Sequence, residues 1–363
     1  MSEPSPDFVL RGHAGAVNCV RFVNGNVLAS GSVDGELRVW NLENRRSDTV
    51  VGHSHSVTAV EGMHSGGTLV SSGRDEYVKL WDPSLLATPK ANLNTGGRHF
   101  CNIAVDKFDK NSNIIVSPSV DDQRLLVWDT RTETVVSSIE TDKKKGMVTN
   151  LLMATSSAAS SNTALLIGYE DGSLSIMDFR VQESGSSTST SGNTSTRSVL
   201  DMEVHDKQPL MTMDMSHDGK TIITGGADQS VHRISIKDGG STTIHDFSSL
   251  QASLSHNNND SNSDTDTDKP CSEVGCAKIP IGGTGGLRIR PDNRICVSGH
   301  WDSTVRIFDL KKQHVMKPLA VLHHHRENIF AIDFGPSSTA IEHTFASGSK
   351  DGTVALWSVY SKK

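Results

Sequence analysis

Short stretches in which apolar and polar residues alternate recur along the chain, and each ends at a large apolar residue. The first is GSVDGELRVWN (31–41), where an Asp-Gly pair separates two such runs. Alternation with a period of two is typical of half-buried β-strands, and an Asp-Gly pair is typical of a tight hairpin turn. This stretch therefore predicts two antiparallel strands joined by a turn.

The same pattern occurs seven times with constant spacing. In every copy an Asp stands six residues before the closing apolar residue, as strands joined by a turn of fixed length require. The seven pairs are Asp34/Trp40, Asp75/Trp81, Asp122/Trp128, Asp171/Met177, Asp228/Ile234, Asp302/Phe308 and Asp351/Trp357. Seven units of four short strands predict an all-β, seven-bladed propeller, with blade cores that end near residues 41, 82, 129, 178, 235, 309 and 358.

These units resemble the repeats of the WD-repeat family. The resemblance implies that a His, a strand Ser or Thr, the Asp and the Trp form a buried hydrogen-bonded set in each blade. The first two blades match this set in full, with His13, Ser30, Asp34 and Trp40, and with His53, Ser71, Asp75 and Trp81. Pro118 and Ile167 occupy the Ser/Thr position of blades three and four. Blades four and six have no recognisable histidine, and we expect apolar packing to hold them.

The two ends of the chain predict how the ring closes. The last repeat stops after its third strand, while residues 7–10 form a short apolar run ahead of His13. We expect this run to supply the missing outer strand, because an open sheet edge is a liability in a propeller. One propeller is therefore predicted over residues 7–363. Two polar, low-complexity segments, 182–200 and 241–280, are predicted to be flexible inserts.

Composition narrows the class of protein. The net charge of −7 argues against direct binding of nucleic acid, and no apolar run approaches the ~20 residues that span a membrane. The N-terminus lacks the features of a signal peptide. Cys19 and Cys296 lie within apolar alternation and are expected to be buried free thiols. We therefore expect a soluble protein of the cytoplasm and nucleus.

The candidate chemistry is weak. The recurring Asp and His residues stand at fixed repeat positions, which a structural role explains. His323–His325 and the Cys271/Cys276 pair lack further ligands at metal-site spacing, and the glycines at 282–286 lack the Lys-Ser/Thr of a phosphate loop. We therefore predict no catalytic, cofactor or metal site, and no enzymatic activity.

Two sets of surface residues are candidates for binding partner proteins. The residue before each turn Asp is expected to face solvent, and Arg74, Glu170, Trp301 and Lys350 are the informative members of this set. For Trp301 the alternative is packing on the neighbouring loop. The second set consists of two Asp-x-Arg boxes, Asp129/Arg131 and Asp178/Arg180. They resemble the motif by which WD-repeat receptors dock on the adaptors of cullin–RING ubiquitin ligases.

Further motifs resemble one branch of this family, the G-protein β-subunit-like protein 1 family, which includes the ASTRA-associated proteins. They are PDFVLRGH (6–13), GYEDGS (168–173), GHWDSTVRIF (299–308), KPLAVLHHH (317–325) and GSKDGTVALWSVY (348–360). The resemblance implies a monomeric, non-catalytic scaffold within a larger complex. Its implied partners are the TTT co-chaperone, the RuvB-like ATPases and PI3K-related kinases. Only about ten residues precede the first blade, too few for the coiled coil of a true Gβ subunit.

Overall fold

Seven four-stranded antiparallel sheets make up the protein, and they confirm the predicted seven-bladed, all-β propeller. The computed structural model describes residues 4–63, 67–84, 86–106, 112–120, 124–155, 163–179, 197–236, 242–246, 282–311, 316–336 and 343–359. Within these ranges the only helical segment is a single 3₁₀ turn, Lys143–Lys145. No helix there is long and apolar enough to cross a membrane.

The strands of the first four blades follow one another in chain order. Blade 1 contains β2–β5, blade 2 contains β6–β9, blade 3 contains β10–β13 and blade 4 contains β14–β17. Their bounds, with the N-terminal strand first, are β1 Phe8–Arg11, β2 Val17–Phe22, β3 Val27–Ser32, β4 Glu36–Asn41, β5 Arg46–Val51, β6 Val57–Gly62, β7 Leu69–Gly73, β8 Tyr77–Trp81, β9 Ala91–Asn94, β10 Ala104–Val105, β11 Ile114–Pro118, β12 Arg124–Asp129, β13 Thr134–Glu140, β14 Val148–Thr155, β15 Thr163–Tyr169, β16 Ser173–Asp178 and β17 Arg197–Glu203.

The remaining blades continue the same order. Blade 5 contains β18–β21, blade 6 contains β22–β25, and blade 7 contains β26–β28 together with β1. Their bounds are β18 Leu210–Met215, β19 Thr221–Gly226, β20 Val231–Ile236, β21 Thr242–Asp246, β22 Thr284–Ile289, β23 Ile295–His300, β24 Thr304–Asp309, β25 Lys317–His323, β26 Ile329–Phe334, β27 Thr344–Ser349 and β28 Thr353–Ser358. The first strand of each blade lies innermost, against the first strands of its neighbours.

The hydrophobic core is divided among the seven interfaces between blades. Seven clusters of buried apolar residues each combine side chains from two adjacent blades. The closing tryptophans belong to these clusters: Trp81, for example, packs with Cys19 and Leu37 of blade 1. This arrangement follows from the alternation in the sequence, because every strand carries apolar residues on a sheet face that a neighbouring blade covers.

The ring closes as predicted. Strand β1 pairs antiparallel with β28, with Phe8 opposite Leu356 and Arg11 opposite Thr353. Leu10 is buried in the cluster that joins blade 7 to blade 1. The outer strand of the last blade therefore comes from the N-terminal segment, and the chain termini of the propeller are held together by backbone hydrogen bonds.

Two strands overlap the segments expected to be inserts. Strand β17 begins at Arg197, inside the 182–200 segment, and β21, Thr242–Asp246, lies inside the 241–280 segment. Both are outer strands of their blades and complete four-stranded sheets. The inserts are therefore shorter than expected, and their remaining residues lie outside the described part of the chain.

Candidate interaction surface

Blades 2 and 7 contain the complete hydrogen-bonded set. In blade 2, Trp81 Nε1 donates to Ser71 Oγ at 2.8 Å, and Ser71 Oγ lies 2.7 Å from His53 Nε2. Since the serine oxygen accepts from tryptophan, its own hydrogen points to His53 Nε2, and His53 Nδ1–H donates to Asp75 at 2.7 Å. Trp357, Ser347, His325 and Asp351 repeat this chain in blade 7.

These carboxylates also hold the loop that leads into each blade. Asp75 accepts the backbone N–H of Ser54 at 3.1 Å, and Asp351 accepts that of Arg326 at 3.1 Å. Burial would raise the pKa of Asp75, but the hydrogen bond and charge of His53 outweigh it and lower the pKa to about 2. The turn aspartates of these blades thus join two loops at one end of the sheet, which is a structural role.

Blade 1 differs from the expected arrangement. His13 Nε2 lies 2.7 Å from Ser30 Oγ, and Trp40 Nε1 donates to the same oxygen, as expected. The carboxylate that pairs with His13 Nδ1, however, belongs to Glu36, at 3.0 Å, and not to Asp34. Asp34 instead accepts from the Ser32 hydroxyl and from the backbone N–H of Glu36. The longer glutamate side chain reaches the histidine from the first residue of β4, which leaves Asp34 to cap its own turn.

Blade 3 is shifted by one residue from the predicted spacing. Trp128 Nε1 donates to Ser117 Oγ at 2.9 Å, so Ser117, and not Pro118, occupies the serine position. This serine lies eleven residues before the tryptophan, whereas the interval is ten in blades 1, 2 and 7. The turn therefore contains one additional residue. Asp122, the predicted turn carboxylate, lies outside the described residues.

Blades 4 and 6 replace the missing histidine with different polar groups. In blade 6, His300 enters from strand β23 and its Nε2 lies 2.8 Å from Ser298 Oγ, while Arg306 donates to Asp302 at 2.6 Å. In blade 4, Lys145 Nζ donates to Ser175 and Asp201. Beside the apolar packing expected to be the main support of these blades, each has its own polar network. Asp171 caps its turn by accepting from Ser173.

Blade 5 has the His–Asp pair with an isoleucine, Ile234, in place of tryptophan. His205 contacts Thr224 at 3.0 Å and Asp228 at 2.9 Å. His232 adds a second imidazole, and the Ser230 hydroxyl lies between the two rings, 3.0 Å from His205 Nδ1 and 2.7 Å from His232 Nε2. These side chains have the donor types of a metal site. Hydrogen bonds account for the arrangement that the structure shows.

A ring of alternating charges lines the inside of the propeller, and sequence analysis missed it. One equivalent position on the innermost strand is occupied, in blades 5, 6, 7, 1 and 2, by Asp214, Arg288, Asp333, Arg21 and Glu61. Arg21 donates to Asp333 at 2.7 Å and also to Glu61, so one guanidinium joins three blades. Aligning the seven inner strands would have revealed this alternation.

The acids of this ring also bind backbone groups of the following blade. Asp214 accepts the N–H of Ile289 at 2.7 Å, and Asp333 accepts that of Phe22 at 2.8 Å. Burial raises the pKa of Asp214, although the charge of Arg288 opposes this shift. Burial would lower the pKa of Arg21, but the carboxylates of Asp333 and Glu61 outweigh it and raise the pKa. This set holds neighbouring blades together at the centre.

The four predicted partner-binding residues occupy equivalent turns but differ in exposure. Glu170 and Lys350 are exposed, whereas Arg74 and Trp301 are half-buried. The Trp301 ring packs directly over Gly283, where a Cβ atom would come within 2.4 Å of the indole. Trp301 therefore packs on a neighbouring loop, which was the alternative interpretation of this residue. The Arg74 guanidinium lies 4.0 Å from the centre of the Phe100 ring.

Five segments of the chain match the family described as "WD domain, G-beta repeat", at residues 4–41, 45–82, 196–232, 285–309 and 316–358. Each segment ends within or at the third strand of blades 1, 2, 5, 6 and 7. The chain belongs to the WD-repeat family. Blades 3 and 4 of this WD-repeat chain have no match. Blade 3 is the one with the shifted serine, and blade 4 has neither the histidine nor the tryptophan.

Similarity to individual WD-repeat proteins extends over nearly the whole chain. Guanine nucleotide-binding protein subunit beta-like protein 1 of Mus musculus is 28% identical over 98% of this chain and 97% of its own length. ASTRA-associated protein 1 of Verticillium alfalfae is 23% identical over 98% and 93%, and that of Schizosaccharomyces pombe is 24% identical over 99% and 100%. These relatives confirm the resemblance that the motifs indicated.

The first Asp-x-Arg box of this WD-repeat chain lies on the face of the propeller opposite to the face that carries the turn aspartates. Asp129 is buried at the end of β12, and Arg131 donates to it at 2.9 Å with 71% of its own side chain exposed. In the second box, Asp178 ends β16, and Arg180 lies outside the described residues. The two arginines therefore cannot be compared in position.

We expect the propeller to lose stability between pH 7.5 and 5.5. Burial lowers the pKa of His53, and it lowers the pKa of His300 from 6.5 to about 3, with the nearby Arg306 charge adding to the effect. His300 stays neutral in the folded protein over this interval but gains a proton at about pH 6.5 when the protein unfolds, and the lowered pKa of His53 acts in the same direction. The free energy of unfolding therefore has its full value above pH 6.5 and falls below that pH. For His300 the loss is on the order of 1 kcal/mol at pH 5.5.

Urea denaturation at pH 7.5 and 5.5 measures this effect. Asp75, whose pKa is lowered to about 2, titrates outside this interval and does not obscure the effect. The variant His300→Gln should show a smaller loss between the two pH values than the unmodified protein. Equal urea midpoints at both pH values in the unmodified protein would contradict the prediction.

Proposed function

We propose that this protein is a non-catalytic scaffold of an ASTRA-type assembly, where it helps the TTT co-chaperone and RuvB-like ATPases in maturing PI3K-related kinases. The main support is the similarity to proteins named ASTRA-associated protein 1, which extends over 98–99% of the chain. Such coverage relates whole rings and not single repeats. Because partner surfaces of a propeller are built from several blades, a relation between whole rings supports a shared binding role.

The geometry of the polar groups supports a scaffold over an enzyme. The recurring histidines and aspartates are engaged in hydrogen bonds within blades, as in the chain from Trp81 to Asp75. The charged ring at the centre pairs Arg21 with acids of two neighbouring blades. We propose that the protein is a monomer within its complex and is present in cytoplasm and nucleus, where ASTRA-type complexes and kinase maturation require it.

Quantitative affinity purification tests this proposal. The tagged full-length chain, expressed at native level, is expected to enrich RuvB-like ATPases, TTT subunits and PI3K-related kinases above an unrelated tagged propeller. The proposal would be contradicted if none of these classes of protein is enriched. We do not expect direct contact with nucleic acid or membranes.

The alternative is a substrate receptor of a cullin–RING ligase. The observation in its favour is the outward position of the Arg131 guanidinium, anchored by Asp129. If this alternative holds, the purification enriches a cullin adaptor, and the double variant Arg131→Ala, Arg180→Ala loses the adaptor. The same variant should leave capture of ATPases and kinases unchanged if the scaffold proposal is correct.

A further inference from the structure

Four of the seven large apolar side chains that are exposed in the described residues lie over one part of the ring, whereas the other three, Val51, Val135 and Val136, lie on outer strands. Among the described residues, Val33, Phe100, Val120 and Met147 are 49%, 74%, 66% and 45% exposed, and all four lie in turns or loops at the end that carries the turn aspartates. They belong to blades 1, 3 and 4. The corresponding turns of blades 5 and 6 carry half-buried Ala227 and Trp301. The ring is therefore asymmetric, and its exposed apolar groups lie away from Trp301.

Phe100 is the largest of these side chains, and its position is set by a cation. The guanidinium carbon of Arg74, on the turn of blade 2, lies 4.0 Å from the centre of the ring. The turn is fixed by the Arg74 backbone N–H, which donates to the backbone carbonyl oxygen of Ser56 at 2.9 Å. A phenylalanine held by a cation yet largely exposed to water is oriented before any partner arrives, which lowers the entropy lost on binding.

Arg74 retains unused hydrogen-bonding capacity. Its Nε–H is buried and has no hydrogen-bond partner within the described part of the chain. The protein itself covers this Nε–H, so a ligand would bind the terminal guanidinium nitrogens, which form no ion pair with any described residue; a carboxylate is the acceptor that best matches them. This group therefore indicates the charge of the expected ligand.

A cavity of about 520 Å³ opens beside these residues at the mouth of the central channel. Val33, Arg74, Phe100 and Met147 line it together with polar side chains of the inner strands. This volume lies within the range of roughly 300–1,000 Å³ that is typical of pockets for small ligands. It therefore has room for individual side chains of an extended segment, whereas a folded domain would contact only its rim.

Further positive charges surround the same part of the ring. Arg98 precedes Phe100 and is more than half exposed, although it pairs with Glu76 at 3.1 Å. Lys143 and Lys144 are exposed on the 3₁₀ turn before Met147. Exposed acids lie in the same loops, among them Glu170, whose carboxylate accepts the Met147 N–H, so the preference for an acidic ligand rests on Arg74, which has no ion-pair partner among the residues that the structure describes.

We use the name Phe100 patch for the surface formed by Val33, Arg74, Phe100, Val120 and Met147. We propose that this patch binds an extended acidic segment of a partner protein. One large apolar side chain of that segment packs against Phe100 and Met147, and a neighbouring carboxylate binds Arg74. This inference rests on the proposed scaffold function and deepens it, since it names the part of the ring and the chemistry of the partner.

Fluorescence anisotropy with a labelled peptide, Gly-Asp-Asp-Leu-Phe-Asp-Asp-Gly, tests the patch on the full chain. The variants Phe100→Ser and Arg74→Glu are expected to weaken binding roughly 10- to 30-fold, as at interface hot spots. Lys220→Glu, an exposed lysine just before β19 in blade 5, and Val136→Ser, an exposed valine on β13, are matched controls that should change binding less than about twofold. A peptide with Lys for Asp should bind weakly, and 300 mM salt should weaken the acidic peptide.

Three results would overturn the inference: no binding of the acidic peptide at 1 mM, binding by Phe100→Ser and Arg74→Glu as tight as by the unmodified protein, or an equal loss of binding in Lys220→Glu. Near-ultraviolet circular dichroism checks that each variant is folded. Failure of the patch is distinguishable from failure of the scaffold proposal, because the peptide measurement uses purified protein and the affinity purification reports native partners.

Discussion

Deletion of residues 2–11 is expected to lower the melting temperature by more than about 5 °C, because it removes the strand that closes the ring. Strand β1 pairs with β28 over four residues, and Leu10, only 3% exposed, packs between blades 7 and 1. Loss of the Leu10 side chain alone typically costs about 2–5 kcal/mol, and the deletion also leaves β28 with an unpaired edge. For a protein of this size, each kcal/mol lowers the melting temperature by roughly 1–2 °C.

Thermal unfolding followed by circular dichroism measures this effect. Deletion of residues 2–5 is the control, since Pro4 and Ser5 are exposed and precede β1; its melting temperature should stay within about 2 °C of that of the full chain. The point variant Leu10→Asp should reproduce most of the loss without shortening the chain. An unchanged melting curve after deletion of residues 2–11 would show that the ring is closed by other contacts.

The variant Arg21→Met is expected to destabilise the propeller by about 3–5 kcal/mol, the usual result when one partner of a buried ion pair is removed. Arg21 is 9% exposed and donates to Asp333 of blade 7 and Glu61 of blade 2. Methionine retains much of the apolar volume but removes the cation between two buried carboxylates; Glu61 loses this ion pair, and Asp333 retains the Arg288 guanidinium at 3.6 Å. The loss should therefore come from charge and not from a cavity.

Urea denaturation of Arg21→Met at pH 7.5 measures the loss, with Arg98→Met as the matched control. Arg98 also forms an ion pair, but its side chain is 60% exposed, so its replacement should cost less than about 1 kcal/mol. Adding Asp333→Asn to Arg21→Met should recover part of the stability, because one uncompensated charge is removed. Equal effects of Arg21→Met and Arg98→Met would mean that the central ring contributes no more than a surface pair.

The candidate site was predictable to different degrees from the sequence. The partners of His53 and His325 follow from repeat spacing, since all four members of each set lie within one blade. Blade 1 departs from that spacing because Glu36, two residues after Asp34, reaches His13 with a longer side chain. Trp301 illustrates a further limit: its exposure depends on Gly283, which lies beside it only after blade 6 has folded.

The sequence by itself determined the number of blades, the position of each hairpin turn and the strand that closes the ring. These features depend on alternation and on spacing within about fifty residues, where strand geometry leaves few choices. Only the tertiary structure decided which groups meet across blades, such as Arg21 with Asp333, 312 residues apart, and Arg74 with Phe100. The physical reason is that the pleat sets which face a side chain occupies, whereas its partner on the next blade depends on how the whole ring packs.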